Sequence, residues 1–132
     1  MTRTPPLVLA TVALFAAYAV GAVIAVATGI GTVGAALSNG TKTSAPFFIL
    51  VVELAAAYAF LRGKIAGAWV LAAMSGLSTA ALLFDGDFDD DALSTGHVVW
   101  QAFEGWLALA VLSLAVTAHI RTRRRPAAAA AA

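Results

Sequence analysis

The sequence predicts an all-α integral membrane protein, an antiparallel bundle of four transmembrane helices in a single domain over residues 1–126, with both termini inside. Three observations predict it. Of the 132 residues, 61% are hydrophobic and only 11% are charged, against roughly 25% charged in an ordinary soluble domain. The apolar residues gather into four runs separated by short polar stretches. The basic residues of those stretches fall almost entirely on alternate connections, as a multi-pass topology requires.

Crossing about 30 Å of hydrocarbon takes about 20 apolar residues. The first span, about residues 7–30, holds no charge, and Pro5 and Pro6 stand where a helix tolerates proline best. Its apolar stretch exceeds the h-region of a cleaved signal peptide, so it reads as a retained span. The second span, about 46–61, is short and contains Glu53. The third, about 65–84, is uncharged and rich in Ala, Ser and Gly; the fourth, about 97–120, contains Glu104. Ser44 and Ser94 are the expected N-caps of the second and fourth helices. Ala17, Gly21 and Ala25 on the first span, with Gly63, Gly67, Ala68 and Gly76 around the third, are the small residues expected to let helices approach. The alanine run 127–132 reads as a tail of unassigned residues and takes no part in functional reasoning.

Orientation follows from the loops. Arg3, Arg62, Lys64, Arg121, Arg123, Arg124 and Arg125 belong to segments that share a side, while the other side carries Lys42 and the loop with Asp85, Asp87, Asp89, Asp90 and Asp91. The positive-inside rule then places both termini in the cytoplasm. Arg121, Arg123, Arg124 and Arg125 are expected to meet anionic lipid headgroups, and so short a run implies no nucleic-acid partner. The aspartate loop reads as a solvated outer docking surface. Its spacing at 85, 87 and 89 follows a calcium loop, but Asp90 stands where that loop needs Gly and Gly96 where it needs Glu. The absence of cysteine excludes disulfides, thiolate metal sites and thiol catalysis. With no nucleophile–base pair, phosphate loop or metal signature, no enzymatic activity, catalytic residue, cofactor or metal is expected.

The residues that draw a functional hypothesis are Glu53, Ser78, Gln101, Glu104 and His97. Carboxylates inside a span are costly and demand an explanation. Each glutamate lies seven residues in from the outer start of its helix, roughly 10 Å below the surface. His97, Gln101, Glu104 and Ala108 share one helical face. These groups are expected to form an outward-opening polar pocket with His97 and Asp85 at its mouth, where two carboxylates share a proton or hold a cation. Three readings of the acids stand together: hydrogen bonds that only hold helices, a basic residue supplied by a partner subunit, or a transport site. No basic residue of the chain is expected at their depth.

From Thr2 to Pro126 the chain resembles, in size and layout, the small four-helix hydrophobic proteins of high-GC actinobacteria, including accessory subunits of their respiratory complexes. The resemblance is one of architecture and carries no motif, so no functional residue transfers. It implies a non-catalytic accessory subunit packed against larger integral membrane subunits of a respiratory (cytochrome or oxidase) assembly, with lipids as further partners. The alternative is a small homo-oligomeric proton-coupled transporter or channel using the intramembrane glutamates. Small multidrug exporters share the layout, yet their first-helix glutamate has no counterpart in Leu7 to Ile30.

Overall fold

The computed structural model describes residues 4–85 and 93–131, which form five helices: α1 (Pro6–Ala27), α2 (Val33–Leu37), α3 (Phe47–Leu61), α4 (Ala66–Asp85) and α5 (Thr95–Ala131). Among the described residues there is no strand, only a single bridge between Thr41 and Ser44. Three of the helices, α1, α4 and most of α5, are long and apolar enough to cross a membrane. The fold is therefore that of a multi-pass helical membrane protein.

Packing follows one period. The buried face of α1 runs through Leu7, Thr11, Leu14, Tyr18, Gly21 and Ala25, and that of α5 through His97, Gln101, Glu104, Ala108, Val111 and Ala115. Both alternate steps of four and three residues, the spacing that keeps one seam turned toward a neighbour in left-handed helix packing. α4 lies between α3 and α5, and α1 closes against α5 and α3. The opposite faces carry exposed Leu9, Val23, Phe48, Leu77 and Trp106, as expected where the surrounding solvent is as apolar as the side chains.

Several boundaries differ from the sequence expectation. α1 stops at Ala27 rather than near residue 30, because the chain turns through Thr28 and the positive-φ Gly29. The second predicted span appears as α3, whose 15 residues reach only about 22 Å at 1.5 Å per residue. Its N-cap is Pro46, not Ser44; Ser44 instead pairs with Thr41 in the preceding turn. Ser94 does cap α5, its Oγ accepting the His97 N–H at 3.4 Å. α5 continues beyond residue 120 through the arginines, and α2 has no forerunner in the sequence reading.

The α3–α4 connection is tight. Gly63 adopts φ 79° and Lys64 N–H donates to Ala59 O at 3.0 Å, the closure of a helix end through a left-handed residue. One turn on, Gly67 sits so close to α3 that a Cβ there would strike Ala56 O and Phe60 N. Gly76, by contrast, faces open space and makes no helix contact. At this end of the bundle Trp69 and His119 pack at a tilt of 57°, ring centroids 4.4 Å apart, and the Arg62 guanidinium lies over Tyr58. Arg121, Arg123 and Arg124 are exposed beyond them; the Arg125 side chain lies outside the described part.

Gly67→Val is expected to force α3 from α4 and to lower unfolding free energy by about 1–3 kcal/mol. Denaturant titration of the detergent-solubilised chain reads this directly, with Gly76→Val as the neutral comparison.

Candidate functional site

The site lies at the opposite end of the bundle and is built by a loop that turns back between the helices. Residues 41–44 form a closed turn: Thr41 and Ser44 exchange backbone hydrogen bonds at 3.0 and 3.2 Å, and their hydroxyls meet at 2.8 Å. Thr43 is 0% exposed, and its Oγ1 donates to the Gly21 carbonyl at 2.6 Å. The turn reaches that depth because residue 21 has no side chain; a Cβ there would collide with Thr43 O and Glu104 Oε1. From the other side, Gln101 Nε2 donates to Lys42 O. Irregular backbone at membrane depth survives only where it is buried and paired in this way.

Between this turn, α1, α3, α4 and α5 opens a cleft of about 520 Å³. Its polar wall is Tyr18, Lys42, Ser78, Gln101 and Glu104, and its apolar wall includes Ile49, Leu77 and Leu82. Glu104 is 5% exposed. Its Oε1 accepts from the indole N–H of Trp100 at 2.9 Å, and that N–H is shared with Ala17 O at 3.3 Å. Gln101 is oriented without ambiguity. With Nε2 committed to a carbonyl, Oε1 is the free acceptor, and it is buried with no partner among the described residues.

Glu53 is 0% exposed and does not line the cleft. Neither of its carboxyl oxygens nor the buried Ser75 hydroxyl has a hydrogen-bond partner among the described residues. Tyr18 lines the cleft, interacts with Ser78, and lies within electrostatic range of both Glu53 and Glu104.

Of the residues singled out from the sequence, Ser78, Gln101 and Glu104 thus meet in the cleft, and Glu53 stands behind it. His97 does not join them. Its Nδ1 accepts from the Ser94 backbone N–H at 3.0 Å, so Nε2 carries the proton and donates to Thr28 Oγ1 at 3.0 Å. Thr28 Oγ1 in turn donates to Ile24 O at 2.7 Å. His97 therefore fastens the start of α5 to the end of α1. The Asp85 side chain and Asp87, Asp89, Asp90 and Asp91 lie outside the described part.

Three contributors escaped the sequence reading. Lys42 belongs by sequence to the outer side, and the inward turn places it on the cleft wall. Thr43 anchors the turn. Tyr18 was legible in principle, because it and Thr11 are the only polar side chains in α1 and both occupy the buried seam. Comparison with protein families, with curated proteins and with solved structures finds no match to this chain.

Thr43→Val removes the hydroxyl bond to Gly21 at nearly constant volume, and a loss of about 1 kcal/mol is expected. Because the chain has no cysteine, Ser44→Cys supplies a single reporter thiol. Its labelling by a membrane-impermeant maleimide should be slow alone and faster when combined with Thr43→Val.

Proposed function

We propose that this chain is a small proton-coupled membrane carrier whose solute site is the cleft at Glu104. The observation that carries this reading is a ligand-sized cavity lined by Glu104 and Tyr18, with the sealed Glu53 carboxyl within electrostatic range of that tyrosine. Cavities of about 300–1,000 Å³ with a few convergent polar groups are the usual form of small-molecule sites. Glu104 faces the solute and Glu53 is the sealed protonatable group, with Tyr18 within electrostatic range of both.

This reading includes the finer topology. Four crossings are achieved if α3, too short alone, is completed by the buried 41–46 segment, as half-helix segments are in other bilayer proteins. The connections rich in Arg and Lys then lie in the cytoplasm of a bacterial plasma membrane, and the cleft opens outward.

The accessory-subunit reading is the second. It keeps one support, the exposed aromatic side chains Phe47, Phe48, Phe103 and Trp106, which a larger membrane partner or lipid equally covers. It loses another. A partner's basic residue cannot neutralise Glu53, because a group with no exposed surface is out of reach of any side chain beyond the chain itself. A proton or a small ion is left to do so, given the cost of an unpaired charge in hydrocarbon.

In liposomes enclosing a pH-sensitive dye, the wild-type chain should dissipate an imposed proton gradient well above empty vesicles, and Glu53→Gln should abolish the excess. Flux unchanged in Glu53→Gln would remove the carrier reading. Single cysteines at Asn39 and Lys64 should label from opposite sides of intact cells. Native purification that retains a stoichiometric large partner, with no flux from the isolated chain, would favour the accessory role.

A further inference from the structure

We infer that the solute taken by the cleft is a small organic ammonium compound with an apolar body. The inference rests on the carrier reading above only in treating this cleft as a solute site. Two buried acceptor groups belong to its lining. Glu104 contributes a carboxyl group of which a single oxygen is held by Trp100. Gln101, 3% exposed, presents an amide oxygen with no partner and no freedom to flip, since its Nε2 is bound to Lys42 O. An ammonium head carries a positive charge and several N–H donors and answers both groups at once. An anion placed in the same position meets the Glu104 carboxylate. Lys42 lies on the wall as well and has a partner, and its carbonyl holds the Gln101 amide.

The rest of the cleft sets the other half of the ligand. A volume of about 520 Å³ is far larger than a bare ion requires, and Ile49, Leu77 and Leu82 belong to the same lining. Apolar wall in the cleft rewards a hydrocarbon body attached to the charged head. Inorganic cations lack such a body, and neutral amphiphiles lack the charge.

The probe is butylammonium chloride, titrated calorimetrically into the full chain in detergent at fixed ionic strength, with pentanoate and 1-pentanol as the anionic and neutral controls. Saturable one-to-one binding is expected for butylammonium alone. Glu104→Gln should weaken it by about tenfold or more, the scale of a lost charge-assisted bond, Gln101→Leu should weaken it several-fold, and Ala81→Phe on the cleft wall should block it. Each variant is first required to elute and melt as the wild type does; if Glu104→Gln fails this, the other two carry the test. No saturable butylammonium binding, binding indifferent to all folded variants, or equal binding of pentanoate or pentanol would overturn the inference. Proton flux measured on the same preparation separates the two readings. Flux without butylammonium binding removes the ammonium class and keeps the carrier, whereas binding without flux keeps the ammonium site and removes the carrier.

Discussion

A backbone carbonyl or N–H held away from water must find a partner inside the protein, and in this molecule that requirement is concentrated on residues 41–46. The segment leaves the loop region, turns between the helices and buries Thr43 completely. Its depth depends on Gly21, because any side chain there occupies the space of the Thr43 carbonyl. From this contact the rest of the site follows in sequence. The turn brings Lys42 O to Gln101, which fixes that amide, and Pro46 then starts α3 late. A helix of ordinary spanning length in place of α3 would occupy the volume where the cleft now lies.

The second constraint is the seam. Burying faces at alternating steps of four and three places Tyr18, Gln101 and Glu104 on the inside of the bundle by periodicity alone. In lipid there is little hydrophobic gain from turning an apolar face inward, so polar side chains become the groups most in need of burial. The seam of α5 is accordingly polar toward the cleft and apolar beyond it, changing at Ala108. Tight contact near Gly67, where α3 and α4 touch through backbone, keeps the far end closed, and the cavity opens where bulk and loop enter.

This division explains which features were legible in the sequence. The helical class and the α5 stripe of His97, Gln101, Glu104 and Ala108 depend on composition and local period, both of which a single chain displays. The loop turn was not legible, because Thr43 and Lys42 sit in a stretch whose composition is that of any polar connection. Only the contact with Gly21, 22 positions earlier, makes that stretch part of the interior. The short second apolar run follows that buried turn, whose place in the interior no local pattern marks. For His97 the stripe gives a face and not its partners, Ser94 and Thr28, which lie at the start of α5 and the end of α1.

The two glutamates began as a symmetric pair, equally deep on their helices, and the structure makes them unlike. Glu104 has a donor in Trp100 and a cavity beside it; Glu53 has neither, and no surface. A carboxyl group with a fixed donor and open space can exchange what it holds for a solute. One sealed without donors can exchange only something small enough to pass between packed side chains, which leaves the proton as the fitting traffic. Tyr18 lies within electrostatic range of both, and its hydroxyl both donates and accepts. Coupling between a solute at Glu104 and a proton at Glu53 would therefore have Tyr18 within reach, one turn from the Gly21 contact that forms the cleft.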